Sequence, residues 1–84
     1  MAGIKLSQEA LIGLMHKGDP RCPINMGDRF YKVAGEEGDR HSIGSEGIVT
    51  GSAYLKEEQV SCYLVKFDGD QDEVFISGPK ISKL

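Results

Sequence analysis

The 84-residue sequence has no tryptophan, and it contains only three phenylalanines, three tyrosines and two cysteines. Its core must therefore rest mainly on isoleucine, leucine, valine and methionine. Its apolar runs fall far short of the roughly 20 residues that span a bilayer. The N-terminal segment also lacks the apolar block and small-residue cleavage site of a secretory signal. We therefore expect a single cytoplasmic domain over residues 1–84, with a small core and no membrane segment.

The chain lacks a strong excess of either charge, since 10 basic and 13 acidic residues leave a net charge of −3. Residues 1–32 hold five basic and three acidic side chains, whereas residues 33–60 hold two and six. General electrostatic binding of nucleic acid needs clustered lysine and arginine. The balance therefore makes nucleic acid an unlikely partner and suits polar contact with a protein.

The sequence has few residues for metal binding or nucleophilic catalysis. Cys22 and Cys62 lie far apart and are predicted to be free thiols, and the two histidines are His16 and His41. These four residues form no Cys-x-x-Cys or His-x-x-x-His pair, so no zinc site is predicted. Cys22 could pair with His16 or His41 as nucleophile and base, but most chains hold such residues, so no catalytic pair is predicted either. His16 is expected to interact with the last carbonyls of a helix. We expect no metal, no cofactor and no catalytic residue.

Residues 68–73, DGDQDE, place carboxylates at alternate positions, as a calcium-binding loop does. That loop also requires glycine at its sixth position and glutamate at its twelfth, where this chain has Glu73 and Pro79. The flanking residues alternate between apolar and polar as strands do, and aspartate and glycine suit a tight turn. The sequence therefore predicts a hairpin turn here rather than a calcium site.

An amphipathic helix is predicted over residues 7–17, where apolar residues recur at steps of three and four. Ser7 would cap it, and Gly18 would end it in the left-handed conformation. After a connector over residues 18–28, strands are predicted at 29–33, 47–55, 60–67, 73–77 and 81–84, with a long polar loop over 34–46. Five strands in so short a chain favour a bent barrel over 29–84, with the helix covering one end or face.

Three short motifs give residues 26–84 a resemblance to a known architecture. They precede the first strand, begin the second and end the third, at Gly27-Asp28, Gly47-x-Val49 and Val65-x-Phe67. This part of the chain resembles the SH3-like barrel in its broad, KOW-type sense. The resemblance implies a mainly β fold, a five-stranded SH3-like barrel to which the N-terminal amphipathic α-helix is an addition.

In SH3-like barrels the long first loop often lines a partner groove together with aromatic side chains. The resemblance therefore implies a binding groove made of Tyr31, Arg40, His41 and Tyr54. We expect a non-catalytic binding or regulatory module that contacts a protein partner, or a second copy of itself, through this loop. Its size suits an accessory protein of the kind carried on mobile elements.

Two alternatives stay open. KOW-type relatives often contact RNA or DNA, and a nucleic-acid-associated module would use Arg21, Arg29 and Lys32. An enzyme or small-ligand binder would need a site between barrel copies, as in the plasmid-borne type II dihydrofolate reductase, whose pore is lined by a Val-Gln-Ile-Tyr stretch. Residues 74–77 of this chain read Val-Phe-Ile-Ser, so that activity is not carried over.

Overall fold

A computed structural model describes residues 8–35 and 38–84, which form one helix and five antiparallel strands. The elements are α1 (Gln8–Met15), β1 (Arg29–Lys32), β2 (Glu46–Leu55), β3 (Val60–Phe67), β4 (Val74–Ser77) and β5 (Ile81–Lys83). A single 3-10 turn at Gly78–Lys80 joins β4 to β5. The prediction of a mainly β fold with one helix is confirmed, and each predicted strand is present to within one residue at either end.

The helix is shorter than predicted at its C-terminal end. It ends at Met15 rather than Lys17, because the N–H groups of Lys17 and Gly18 donate to carbonyls three residues back, at 3.1 and 3.0 Å. Gly18 has a φ of 76°, the left-handed conformation that the sequence predicts for the helix end. The predicted cap, Ser7, lies outside the described residues.

The five strands form one sheet in the order β4-β3-β2-β1-β5. The longest strand, β2, pairs with β1 on one side and β3 on the other, and its register with β3 shifts between Val49 and Gly51. Thr50 is therefore an extra residue in the ladder, and such a bulge bends and twists the strand that carries it. The central strand of the sheet is thus curved.

The two edges of the sheet approach each other without pairing. β4 and β5 lie at opposite edges, yet only Gly78–Lys80 connects them. In a flat sheet these edges would be about 19 Å apart, at roughly 4.8 Å between neighbouring strands. The chain from Ser77 to Ile81 can span at most about 14 Å. The sheet must therefore curl, which leaves an open seam between its edges, and closure into a barrel stays a prediction.

One face of the curled sheet carries the core. Tyr63, Val65 and Phe67, the alternating residues that predict β3, are all buried on this face. The other buried members of the core are Cys22, Ile24, Phe30, Val49 and Ile81. Two of them, Cys22 and Ile24, belong to the segment predicted as a connector, so this segment also completes the core.

Helix α1 lies on the opposite face, against β2 and β3. Met15 and Leu64 are buried there, and Gly51 lets the helix end approach, since a Cβ at Gly51 would lie 2.8 Å from the Met15 carbonyl oxygen. The helix therefore lies against one face of its own sheet, one of the placements left open by the sequence. Most of the predicted apolar stripe is nevertheless exposed, including Leu11 and Leu14, and only Met15 is buried. Within the described residues, no helix is long and apolar enough to cross a membrane.

Candidate functional site

The acidic segment 68–73 forms the turn between β3 and β4. Gly69 has a φ of 89°, and the Asp70 N–H donates to the Phe67 carbonyl at 3.0 Å, which closes the predicted tight turn. Across residues 8–35 and 38–84, no group of three His, Cys, Asp or Glu side chains is arranged to hold a metal ion. Most of these carboxylates instead bind side chains from other parts of the chain.

Asp68 fixes the start of β1 to this turn. Its carboxylate accepts two hydrogen bonds from the Arg29 guanidinium, at 2.8 and 2.6 Å, and Arg29 also lies 3.4 Å from Glu46. The hydrogen bonds from Arg29 hold the pKa of Asp68 below its ordinary value of 3.8. This two-point contact ties together segments 39 residues apart in sequence.

Glu73, at the other end of the turn, fixes the end of the helix. The Thr50 hydroxyl donates to its carboxylate, and His16 Nε2 lies 3.0 and 2.8 Å from the two carboxylate oxygens. These contacts, that from Thr50 first, lower the pKa of Glu73 from its ordinary value of 4.5, against the opposing effect of burial. The expected contact of the His16 side chain with helical carbonyls is therefore replaced by a contact with the Glu73 carboxylate of the β3–β4 turn.

Asp70, at the tip of the turn, holds the long first loop in place. Its two carboxylate oxygens lie 3.0 Å from an Arg40 nitrogen and 2.7 Å from His41 Nε2. The His41 ring also stacks on Phe67, with ring centroids 3.7 Å apart and an angle of 10° between the planes. Contacts with residues of the β3–β4 hairpin thus hold both Arg40 and His41 against that hairpin.

Lys32 fixes the same loop from the side of β1. Its side chain is buried, with only 4% of the residue exposed, and its ammonium donates to Asp39 at 2.7 Å and to the His41 carbonyl at 2.6 Å. A buried ammonium is costly unless it is paired, so these bonds constrain the loop strongly. The loop next to His41 is therefore held from two sides.

A groove of about 280 Å³ opens between this loop and β4. We call it the loop–β4 groove, and its lining residues are Lys32, Asp39, Arg40, His41, Phe67, Val74, Phe75, Ile76, Ser77 and Lys80. All four residues of β4 form one wall, whereas the loop, the end of β1 and Lys80 form the other. The groove therefore lies along β4, one edge of the sheet, and is closed on its other side by the first loop rather than by β5.

The charge of the groove differs from that of the whole chain. Its lining holds three cationic side chains, Lys32, Arg40 and Lys80, against one carboxylate, Asp39, whereas the chain carries a net charge of −3. The Lys80 carbonyl accepts hydrogen bonds from the N–H groups of Val33 and Ala34, at 2.8 and 3.3 Å. In the described part of the chain, the Lys80 ammonium has no hydrogen bond or ion pair. This cation remains available to a ligand.

The two predicted tyrosines lie away from this groove. Tyr54 is covered by the Arg21 guanidinium, 5.0 Å from its ring centroid, and its N–H donates to Asp19 at 3.2 Å. Tyr31 lies half-buried in β1, opposite Glu46 on one side and Ser82 on the other. Of the four residues predicted to form a groove, only Arg40 and His41 line the loop–β4 groove.

The three cations of the nucleic-acid alternative are all paired with acids. Arg21 binds Asp19 through two side-chain hydrogen bonds, at 3.0 and 2.7 Å, which hold the pKa of Asp19 well below its ordinary range. Arg29 binds Asp68, and Lys32 binds Asp39 in a buried position. These pairs reduce the positive charge that these residues could present to phosphates.

Two residues of the groove that the sequence did not single out as binding residues are Phe75 and Lys80. Phe75 is 46% exposed, although its neighbours along β4, Val74 and Ile76, are partly buried against the core. Its position on the outer side of β4 follows from the strand alternation of residues 74–77. An aromatic residue at an outward position of a strand was the available signal.

A second groove, of about 440 Å³, lies beside the turn at Gly78–Lys80. Its lining residues are Pro23, Ile24, Gln59, Val60, Ser61, Tyr63, Gly78, Pro79, Ile81, Ser82 and Lys83. It holds one charged side chain and none of the predicted site residues. Its lining therefore has little to distinguish one polar ligand from another.

Comparison of the chain with protein-family models, with curated proteins and with solved structures finds no match. The functional argument therefore rests on the geometry of the loop–β4 groove.

Proposed function

We propose that this chain is a non-catalytic binding module with an SH3-like barrel architecture, and that it contacts a protein partner through the loop–β4 groove. The observation that carries the proposal is the groove's combination of an exposed aromatic ring, Phe75, with an ammonium, Lys80, that pairs with no described residue. Exposed aromatic residues are enriched at protein-binding surfaces, and a cation without a bound acid can pair with an acidic group of a partner.

The barrel part of the proposal is supported by the curvature of the sheet. The bulge at Thr50 bends β2, and the short connection through Gly78–Lys80 draws the two edge strands toward each other. A curled five-stranded sheet with one long central strand suits the SH3-like architecture that the motifs of residues 26–84 imply.

A binding role agrees with the way that the polar groups of the groove are used. His41, its one imidazole, is stacked on Phe67 and lies against Asp70, so both its ring face and its Nε2 are occupied. Lys32 is buried in contacts with the loop. These groups hold the wall of the groove in shape, and a preformed wall lowers the entropic cost of binding a partner.

A protein partner fits the groove better than nucleic acid does. The cations that could contact phosphates, Arg21, Arg29 and Lys32, are each neutralised by a bound carboxylate. Within the described residues, only one ammonium of the groove, that of Lys80, lacks a bound acid, whereas binding of a phosphate backbone needs several clustered cations. A short segment of protein needs fewer cations, because its charge varies from residue to residue.

Comparative affinity capture from the native host tests this proposal. Immobilised wild-type chain is compared with Phe75→Ser and Lys80→Glu. Leu55→Ser is the matched control, because it removes an apolar side chain of similar exposure that lies outside the groove. We expect the wild type and the control to capture the same partner proteins. Both groove variants should capture at least about tenfold less of these proteins. Captured proteins that both groove variants retain fully would contradict the proposal.

Light scattering on the same samples measures contact with a second copy. If the wild type is a dimer and both groove variants are monomers, the partner in the groove is the chain itself. Circular dichroism of each variant checks that the substitutions leave the fold intact, since Phe75 and Leu55 are both partly exposed.

A further inference from the structure

Strand β4 is an edge strand whose backbone faces the loop–β4 groove. It pairs with β3 on one side only, from Val65↔Val74 to Cys62↔Ser77. In an antiparallel edge strand, alternate residues direct their N–H and C=O groups away from the neighbouring strand. Within the described residues, no hydrogen bond other than those of the β3–β4 ladder reaches the backbone of residues 74–76, whereas Ser77 is the N-cap residue of the 3-10 turn that follows. The groove therefore contains backbone donors and acceptors without a protein partner.

This edge also lacks the features that usually prevent strand pairing. Proteins protect edge strands with lysine, proline or a bulge in the strand itself. The sequence of β4 is Val-Phe-Ile-Ser, and its register with β3 is regular. The opposite edge differs, since β5 contains Lys83, which lies 3.6 Å from Asp28. Only the shortness of β4 limits pairing at this edge.

The walls of the groove select the chemistry of an added strand. Val74 and Ile76 belong to the border of the core, so the positions of an added strand on that side would take aliphatic side chains. On the other wall, the Lys80 ammonium has no hydrogen bond or ion pair with any described residue, and Arg40, which binds Asp70 through one nitrogen, keeps 72% of its side chain exposed. Acidic residues at alternate positions complement these cations.

We propose that an extended acidic segment of a partner protein adds as a strand to β4 within the loop–β4 groove. The inference rests on the proposed function and specifies how the groove takes its partner. Main-chain hydrogen bonds to β4 supply affinity, and the alternation of aliphatic and acidic side chains supplies selectivity. The four residues of β4 would pair with about 13 Å of the added segment.

A display library of random linear ten-residue peptides provides a defined probe. Selection is run against the full wild-type chain and against Lys80→Glu, with Lys56→Glu as a matched control that reverses a lysine in the β2–β3 turn. We expect wild type and control to enrich peptides in which aspartate or glutamate alternates with valine, isoleucine or leucine. The Lys80→Glu chain is expected to bind such peptides at least about tenfold more weakly at low salt.

The contribution of the peptide backbone is measured with N-methylated peptides. The best selected peptide is remade with N-methyl groups at alternate residues, in both possible phases, since only one phase carries the N–H groups that face β4. We expect one phase to bind at least about tenfold more weakly than the unmodified peptide and the other to bind nearly as well. Hydrogen exchange should show new protection of alternate amides in residues 74–77 when the unmodified peptide is bound.

The outcomes separate the two proposals. Binding of the peptides could depend on Lys80, tolerate both phases of N-methylation and leave the β4 amides unprotected. That result would overturn strand addition but would be consistent with the proposed binding module. A selection that yields no peptide sensitive to Lys80→Glu would overturn both. Protection of the β4 amides in the free chain, together with a dimeric mass, would show that a second copy pairs with this edge. That result would overturn the proposal of an acidic partner segment.

Discussion

At the scale of single residues, Gly47 shows how the absence of one methyl group allows two strands to pack. A Cβ at this position would meet the Lys66 carbonyl oxygen, and it would lie 2.8 Å from both a Phe30 ring carbon and the Phe67 Cα. Two of these neighbours are backbone atoms and the third belongs to a fully buried ring, so none can move aside cheaply.

Gly47→Ala is therefore expected to lower the free energy of unfolding by about 3 kcal/mol, near the upper end of overpacking costs. Urea denaturation measures the change. Gly13→Ala is the matched control, because no atom lies within 4 Å of a Cβ there and Gly13 is in α1. The control should be neutral or stabilising by up to about 1 kcal/mol, and equal losses in the two variants would contradict this explanation.

Glu73 gives the fold a dependence on pH. Its pKa in the folded chain lies below the ordinary value of 4.5, so the folded chain favours the ionised carboxylate. The resulting stability is present above about pH 4.5 and is lost as the pH falls through the lower folded pKa. Asp19 and Asp68, whose pKa values are also lowered, act in the same direction.

Glu73→Gln should therefore melt at a lower temperature than wild type at neutral pH, and the difference should shrink as the pH falls below about 4.5. Melting temperatures measured from about pH 7 to about pH 3 test this expectation. Asp72→Asn is the control, because Asp72 is exposed and has no ion pair within the described residues. A melting difference for Glu73→Gln that is independent of pH would contradict an electrostatic origin.

At the scale of elements, the first loop depends on the hairpin between β3 and β4 for its shape. Asp70→Asn removes the charge that holds both Arg40 and His41, at 3.0 and 2.7 Å. We expect amides in residues 38–45 to exchange with solvent about tenfold faster, as the loss of charge-assisted hydrogen bonds permits. Hydrogen exchange followed by mass spectrometry measures this change, while the amides of β2 and β3 should remain protected.

The same measurement on Asp72→Asn separates a specific contact from a general effect of charge. Asp72 lies two residues farther along the same turn. If both variants loosen the loop equally, the contacts of Asp70 with Arg40 and His41 are not what holds it.

The elements were largely predictable, because their signals are local. Alternation over Tyr63, Val65 and Phe67 identifies β3 and its buried face, and Gly18 marks the end of the helix region. The helix was predicted two residues too long at its C-terminal end, since Lys17 and Gly18 are held by bonds to carbonyls three residues back. A helical pattern alone cannot distinguish such a tight final turn from a continuing helix.

The groove was only half predictable, because it forms between segments distant in sequence. The length and polarity of the first loop indicate Arg40 and His41, but nothing local indicates that Lys80 lines the same groove. That proximity results from the curl of the whole sheet. Likewise, Tyr54 is covered by Arg21, and this contact depends on how the connector crosses the sheet.

At the scale of the whole molecule, side chains from three separate segments bind the carboxylates of the turn over residues 68–73. Arg29, Arg40 and His16 bind Asp68, Asp70 and Glu73 respectively. Exposed ion pairs are each worth only about 0–1 kcal/mol. These contacts therefore contribute more to the arrangement of the segments than to the overall stability, which rests on the buried core.

The convergence on one turn reverses the usual expectation for surface loops. Hairpin tips normally accept insertions, because few contacts depend on their length. Here, one residue added between Asp68 and Glu73 would change the spacing of three anchor points and so displace the helix end, the start of β1 and the first loop relative to one another. The β2–β3 turn at residues 56–59 carries no ion pair in the described parts of the chain, so tags or fusion partners belong there.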